Sequence, residues 1–206
     1  MSRLTAIWQE RHGGIALPWR TLLLLVLAVC ANLLLGFAPG QWVFDADAVA
    51  QGELWRLFTA HWLHSDAEHA LWDIAALAML GWMFEQRLAG RLFGALLMGT
   101  VAVNGWLLLS ANAPEFYCGL SGILNSLLVV GLVQTWRDWP HPVVWLTGVG
   151  ALLKIVIELN SGQALITDTV WPSVPQAHAA GYLAGLLLSV LFAAADNKSV
   201  WLQSDD

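Results

Sequence analysis

The chain has 206 residues, of which 58% are hydrophobic and 12% are charged, and its formal net charge is −6. A soluble domain carries about twice that share of charged residues, and so few cations leave no basic face for a nucleic acid. We therefore expect an all-α integral membrane protein with the lipid bilayer around it. Both cysteines, Cys30 and Cys118, lie in or beside apolar runs, which argues against a disulfide framework.

Apolar segments of membrane-spanning length follow one another along the chain. A helix of roughly 20 residues crosses a hydrocarbon core of about 30 Å. The predicted spans are residues 20–38, 68–86, 91–112, 119–137, 142–160 and 175–195. The first span is interpreted as an uncleaved anchor, because no small-x-small cleavage site follows it. The expected architecture is one six-helix membrane domain covering residues 1–206.

Lysine and arginine are unevenly distributed between the segments that connect the spans. If the N-terminus is cytoplasmic, Arg56 is the only lysine or arginine in the segments outside the cell membrane. Apart from Lys154, which lies within a span, the others belong to the inner segments. The inner set is Arg3, Arg11, Arg20, Arg87, Arg91, Arg137 and Lys198. Because cytoplasmic loops are enriched in cations, both termini are predicted to be cytoplasmic. The second, fourth and sixth helices then begin at the outer surface.

The outer ends of these three helices carry polar side chains. His69 and Asp73 belong to the second helix, Ser121 to the fourth and His178 to the sixth. Polar groups at membrane depth are costly and indicate a functional site. Zinc is an alternative, because the outer end of the second helix also carries His61, His64 and Glu68. However, HExxH is absent, and only His69 and Asp73 have the spacing of one helical face.

Small residues predict that the fourth and sixth helices pack closely. In the sixth helix they recur at every fourth position, as Ala177, Gly181, Gly185 and Ser189, and Gly122 and Ser126 form a shorter pair in the fourth. Contact between these faces would bring Ser121 Oγ near a ring nitrogen of His178. The alternatives are a packing serine bonded to its own helix and an interhelical histidine without a catalytic role.

The fifth predicted helix contains two charged residues one turn apart, Lys154 and Glu158. This spacing allows the two side chains to neutralise each other inside the bundle. An ion path is the functional alternative. A small transporter that uses these residues with Asp73 would belong to that class.

Five motifs occur in the order known from one family. They are WRLFT (55–59), HSDAEHALWD (64–73), EQRLAG (85–90), GLSG (119–122) and AHAAGYLAG (177–185). Together they resemble the motifs of the rhomboid intramembrane serine proteases. The resemblance implies that Ser121 is the nucleophile and His178 its general base, and that the enzyme uses no metal or cofactor. A serine–histidine pair needs no third member if packing fixes the ring.

The resemblance also implies an oxyanion hole, formed by His69, Asp73 and backbone N–H groups around Leu120 and Ser121. The supporting residues are Gly119, Gly122, Asn125 and Gly181. Asp73 stands where the family has asparagine, and an ionised carboxylate cannot donate to an oxyanion. Asp73 either keeps the His69 ring protonated or is itself protonated by burial. Asn125 stands where many bacterial rhomboids have tyrosine, and we expect it to orient His178.

The implied substrates are single-pass membrane-anchored proteins, cleaved near the outer membrane surface. The short six-helix form is most similar to the rhombosortase branch, whose substrates carry a C-terminal Gly-Gly motif, an apolar helix and a basic tail. The expected location is a bacterial inner membrane, with the active site facing the periplasm. A catalytically silent adaptor that binds membrane helices is the alternative function.

Overall fold

A computed structural model describes residues 17–88 and 90–203, with side chains described as far as residue 196, and it is mostly helical. In that part of the chain the α-helices are α1 (Trp19–Leu35), α2 (Ala46–Ala50), α3 (Arg56–Thr59), α4 (Ala67–Leu88), α5 (Arg91–Leu109), α6 (Ser121–Asp138), α7 (Pro142–Ser161) and α8 (Pro175–Gln203). A short 3-10 helix (Ala60–Trp62) follows α3. Two short strands, β1 (Phe44–Asp45) and β2 (Phe116–Tyr117), pair antiparallel.

Glycine and proline explain several helix ends. Helix α1 stops at Leu35, earlier than predicted, because Gly36 has a φ of 77°. Helix α7 begins with Pro142 in its first turn and ends before Gly162 in the left-handed conformation. Helix α8 continues to Gln203, beyond the predicted end at residue 195. The short elements between α1 and α4 lie in a connection for which the sequence predicted no secondary structure.

Three of the described helices are long and apolar enough to cross a membrane, judged by length and composition. They are α5, α7 and the part of α8 from Pro175 to Asp196. Helix α1 is apolar but has 17 residues. Large hydrophobic side chains point away from the protein, among them Leu97 of α5 and Leu183 of α8. The membrane character is therefore visible in the structure, and the number of six spans stays a prediction.

The predicted cytoplasmic location of the termini also stays a prediction. Arg3 and Arg11, on which it partly rests, lie outside the described residues, as do the last three residues of the chain. The side chain of Lys198 is likewise outside the described part.

Helix α6 lies at the centre of the fold. It packs most extensively against α8 and also contacts α4, α5 and α7. Its inward-facing side chains are fully buried, as Ile123 and Leu127 show. Helix α7 lies at the edge of the bundle, and its only buried side chains are Val144, Ile155 and Glu158. Helix α6 therefore forms the centre of the core, whereas α7 contacts the core through few buried side chains.

The contact between α6 and α8 is made at backbone distance. A Cβ atom added to Gly181 would overlap the carbonyl oxygen of Gly122, and one added to Gly185 would lie 2.8 Å from the carbonyl oxygen of Ser126. We call this contact, formed by Gly122, Ser126, Gly181 and Gly185, the α6–α8 seam. It fixes the first turn of α6 beside the first turns of α8, because neither helix can shift without a steric clash.

Buried polar contacts stabilise the connection between α1 and α4 and the start of α1. Arg56 is buried and donates to the carbonyl oxygens of Gly40 and Val43. At the other end of the bundle, the buried Glu85 accepts from the backbone N–H and the hydroxyl of Thr21, at 2.7 and 2.6 Å. Free N–H groups at the start of α1 thereby find an acceptor on α4.

Candidate active site

Ser121 and His178 meet at the end of the α6–α8 seam where both helices begin. Ser121 is the first residue of α6, and His178 lies in the first turn of α8. The distance between Ser121 Oγ and His178 Nε2 is 2.9 Å, within hydrogen-bonding range. Both residues were candidates from the sequence, and the structure brings their side chains together.

Gly119 shapes the entry of the chain into α6. Its φ of 123° is a conformation that other residues rarely adopt. A Cβ atom at this position would lie 2.6 Å from His69 Nε2 and 3.2 Å from Asp73 Oδ2. Glycine is therefore required here both for the backbone angle and for the close approach of the α4 side chains.

Asp73 lies against the N-terminus of α6. Its Oδ2 accepts from the backbone N–H of Leu120 at 2.7 Å and from that of Ser121 at 3.0 Å. Free N–H groups and the helix dipole favour an anion at this place. The sequence predicted these N–H groups as donors to an oxyanion. In the structure the carboxylate of Asp73 already occupies them.

Two histidines approach the same carboxylate oxygen. His64 Nε2 lies 3.3 Å and His69 Nε2 lies 3.5 Å from Asp73 Oδ2. His69 Nδ1 lies 3.0 Å from Ser65 Oγ, which leaves the Nε2 edge of the ring facing Asp73. From the sequence, His64 was predicted to belong to the polar cluster, but its contact with Asp73 was not predicted.

His61 points elsewhere. Its Nε2 lies 3.1 Å from Asn104 Oδ1, and burial lowers the pKa of His61 to about 4, against the opposing effect of that hydrogen bond. The ring is therefore neutral at physiological pH. Within residues 17–88 and 90–203, no three histidine, cysteine or acidic side chains are arranged as ligands of a metal ion.

Asn125 does not make the contact expected of it. We predicted that it orients His178, but its Nδ2 donates to the carbonyl oxygen of Ser121 at 2.9 Å. This bond stays within the first turn of α6. The amide faces its own helix because the carbonyl four residues earlier lies within easy reach.

Glu158 is the residue whose position the sequence analysis did not foresee. The predicted pair with Lys154 is present, with 2.6 Å between Lys154 Nζ and Glu158 Oε1. The other oxygen, Oε2, lies 3.5 Å from His178 Nδ1. The only signal in the sequence was an acidic residue in an apolar helix, and that signal does not name a partner.

A cavity of about 480 Å³ lies beside His69. Its lining includes His69, Trp106, Phe116, Trp171 and Val174. Residues of the loop between α7 and α8 form one wall. This cavity is large enough for several side chains of an extended peptide.

That loop is tied to the start of α4. The backbone N–H of Val170 donates to Asp66 Oδ2 at 2.8 Å, and the N–H of His69 donates to Asp66 Oδ1 at 2.9 Å. Slight burial acts to raise the pKa of Asp66, but the hydrogen bonds from His69, Ser65 and Val170 outweigh it and lower the pKa. Asp66 is therefore an ionised acceptor that joins the two segments at neutral pH.

Comparisons with known proteins agree with this architecture. A family model described as the Rhomboid domain matches residues 51–195. RHOMBOID-like protein 1 of Arabidopsis thaliana is 31% identical over 147 residues, which are 70% of this chain and 36% of that protein. Rhomboid protease GlpG of Klebsiella pneumoniae is 25% identical over 184 residues, or 87% of this chain and 64% of that protein.

Rhomboid protease GlpG of Salmonella newport is 26% identical over 189 residues, covering 89% of this chain and 65% of that protein. The chain thus spans between about a third and two thirds of the length of these relatives. The matched region contains both Ser121 and His178 and extends from the connection between α1 and α4 to α8. The chain belongs to the rhomboid family.

Proposed function

We propose that this protein is an intramembrane serine endopeptidase in which Ser121 is the nucleophile and His178 the general base. The observation that carries the proposal is the 2.9 Å distance between Ser121 Oγ and His178 Nε2. A nucleophile and a base within hydrogen-bonding distance form the core of this kind of catalysis. The proposal is supported by family membership and by the N–H groups at the start of α6.

The proposed reaction follows the acyl-enzyme route. Ser121 Oγ attacks the carbonyl carbon of the scissile peptide bond, and its proton passes to His178 Nε2. The C–N bond then breaks, and His178 returns that proton to the leaving amine nitrogen. A water molecule then attacks the carbonyl carbon of the acyl ester and gives a proton to His178, and the bond to Ser121 Oγ breaks as His178 returns that proton to Oγ. The products are a carboxylic acid, an amine and the original serine.

The negative charge that develops on the carbonyl oxygen needs donors. The backbone N–H groups of Leu120 and Ser121 and the ring of His69 are the proposed ones. Preorganised donors of this kind are worth about 3–4 kcal/mol each in a dry site. The two N–H groups bind Asp73 in the resting structure, at 2.7 and 3.0 Å.

The protonation state or the hydrogen bonds of Asp73 must therefore change as the tetrahedral intermediate forms. Two negative charges on the same two N–H groups repel each other strongly. We propose that Asp73 either takes up a proton or yields the N–H groups to the oxyanion. His64 and His69, which lie within 3.3 and 3.5 Å of its carboxylate, are nearby groups for proton exchange.

The proposed substrates are single-pass proteins anchored in a bacterial inner membrane, cut near the periplasmic surface. The cation distribution of the sequence supports this orientation. Within the family we propose rhombosortase specificity, for a Gly-Gly motif followed by an apolar helix and a basic tail. Glycine pairs adopt extended conformations without steric penalty, and the serine must reach an extended carbonyl group.

Two other functions have less support. A silent adaptor is not favoured, because Ser121 and His178 are both present and in contact. A transporter would need charged groups along a path, whereas Lys154 and Glu158 are bound to each other.

The test uses purified protein in liposomes with a single-pass reporter that ends in Gly-Gly, an apolar helix and a basic tail. We expect cleavage by the wild type and none by Ser121→Ala or His178→Ala. Cleavage by Ser121→Ala would refute the proposed nucleophile. A second reporter with Val-Val in place of Gly-Gly tests specificity, and equal cleavage of both reporters would reject the rhombosortase assignment.

A further inference from the structure

We propose that Glu158 is a positioning residue for His178, so that Ser121, His178 and Glu158 act as a chain of three groups. This inference rests on the proposed protease function. It adds a carboxylate to a site whose resemblance implies a serine–histidine pair alone. The carboxylate acts through the histidine and does not touch the substrate.

The first observation is that Glu158 and Ser121 face opposite nitrogens of one ring. His178 Nε2 lies 2.9 Å from Ser121 Oγ, and His178 Nδ1 lies 3.5 Å from Glu158 Oε2. Both Nδ1 and Oε2 are buried, and among the described residues neither has a hydrogen-bond partner. Buried polar atoms without partners need an explanation, and a contact of these two atoms with each other supplies one.

The second observation is that the carboxylate is held in place through its other oxygen. Glu158 Oε1 accepts from Lys154 Nζ at 2.6 Å and from the backbone N–H of Leu165 at 3.0 Å. The side chain of Glu158 is 1% exposed. These two donors fix the plane of the carboxylate and leave Oε2 directed at His178. The cation of Lys154 also offsets the cost of burying the charge.

The chemistry explains what this arrangement contributes. If Nε2 is to accept the serine proton, the proton of the neutral ring must be on Nδ1. A carboxylate facing Nδ1–H selects that tautomer and stabilises the imidazolium that forms when the serine proton arrives. The distance of 3.5 Å exceeds the usual 2.7–3.2 Å, but such contacts are often long in resting enzymes and shorten with substrate bound.

Other charged and titratable groups near His178 come from two helices. Glu158, which is paired with Lys154, approaches from α7, whereas His69 and Asp73 approach from α4. Asp73 lies on the α6 N-terminus, where it is bound to N–H groups. Glu158 is the one carboxylate among the described residues that makes an ion-pair contact with the ring.

The decisive variant is Glu158→Gln, which keeps the shape of the side chain and removes its charge. We expect kcat for the reporter to fall roughly 10- to 100-fold, the loss of one charge-assisted hydrogen bond. KM should change less than threefold, because the residue does not touch the substrate. The acid limb of the kcat/KM profile should move to lower pH, because the imidazolium loses its partner.

The matched control is the double variant Lys154→Gln/Glu158→Gln. It leaves no unpaired charge, and its two amides can still bind each other, so it guards against misfolding of the single variant. If Glu158 serves only to pair with Lys154, the double variant should regain the kcat of the wild type. If Glu158 positions His178, the double variant should stay as slow as Glu158→Gln.

The outcomes separate this inference from the proposed function. Wild-type kcat and an unchanged acid limb in Glu158→Gln would overturn the inference while leaving the protease intact. A fast double variant would overturn it as well. Failure of the wild type to cleave, with Ser121→Ala indistinguishable from it, would refute the protease proposal and with it this inference. Thermal unfolding of each variant confirms that folded proteins are compared.

Discussion

Helices α6 and α7 both reach the candidate site, but they are attached to α8 in different ways. Along the α6–α8 seam, Gly181 and Gly185 bring backbone against backbone. Helix α7 meets α8 through side chains, by the approach of Glu158 to His178 and by a 3.0 Å hydrogen bond from Tyr182 to the carbonyl oxygen of Gly148. The distance between nucleophile and base is thus set by rigid contact, and the environment of the ring by polar side chains.

We therefore expect substitutions in the α6–α8 seam and substitutions on α7 to affect the protein differently. A change in the seam has no side chain that can move aside, so it separates the two helices and the two reacting groups together. A change on α7 leaves the fold in place and alters the polarity around His178. The effect expected of Glu158→Gln lies between the loss of the fold contact in Gly181→Ala and the tenfold change expected of Asp73→Asn.

The largest effect is expected from Gly181→Ala. The added methyl group would overlap the carbonyl oxygen of Gly122, so α8 must move away from α6. We expect a loss of about 3 kcal/mol or more in stability and no detectable cleavage. Thermal unfolding and the reporter assay measure both effects.

Gly150→Ala is the matched control on α7. Nothing lies within 4 Å of a Cβ atom built at Gly150, and alanine is the better helix former. We expect wild-type stability or slightly more, with unchanged cleavage. Equal damage from Gly150→Ala and Gly181→Ala would show that the seam is not the special contact.

A change of about tenfold is expected from Asp73→Asn. The substitution removes the negative charge that occupies the N–H groups of Leu120 and Ser121. The proposed oxyanion then gains these donors without repulsion, so kcat/KM at neutral pH should rise and its dependence on pH should change. Activity that stays the same across the pH range would contradict both proposed roles of Asp73. A tenfold loss would show that the charge itself is required.

The smallest effect is expected from Asp66→Asn, which weakens the link between α4 and the loop after α7. Asp66 accepts from Val170, and its pKa is below the ordinary value of 3.8. Because the pKa is lowered in the folded protein, the link is complete above about pH 4 and is lost as the pH falls further. We expect a change in KM below threefold for Asp66→Asn at pH 7.

Amide exchange of Val170 measures the same link directly. Protection of this amide in the wild type should be retained from neutral pH down to about pH 4, and it should be lost as the pH falls through the lowered pKa of Asp66. Substitution by asparagine keeps an acceptor but removes the charge, so the protection should be weaker and should no longer depend on pH in this range. Full protection of the wild type at a pH where NMR titration shows Asp66 to be protonated would contradict the role of the carboxylate.

Much of the seam could be predicted from the sequence, because small residues at every fourth position lie on one helical face. That pattern and the GLSG motif were enough to predict that Ser121 approaches His178. The pairing of Lys154 with Glu158 was likewise local, one turn along a helix. These contacts follow from helical periodicity and a local motif.

The contacts of the two carboxylates could not be predicted in the same way. Asp73 binds Leu120 and Ser121, which are 47 and 48 residues away in the chain. Glu158 reaches His178 only because α7 is rotated so that one oxygen faces α8. The rotation of a helix about its axis depends on packing with its neighbours, and an apolar edge helix carries little pattern that specifies it. Asn125 was misjudged because its own helix offered a nearer acceptor.

The most direct test of the account is covalent labelling of the detergent-solubilised protein with a small fluorophosphonate. Only a serine activated by a neighbouring base reacts readily with this probe. The account predicts that the wild type is labelled at Ser121 and that labelling is lost in Ser121→Ala and in His178→Ala. A folded wild type that takes up no label, or labelling that persists in Ser121→Ala, would contradict the claim that the seam holds an active serine–histidine pair.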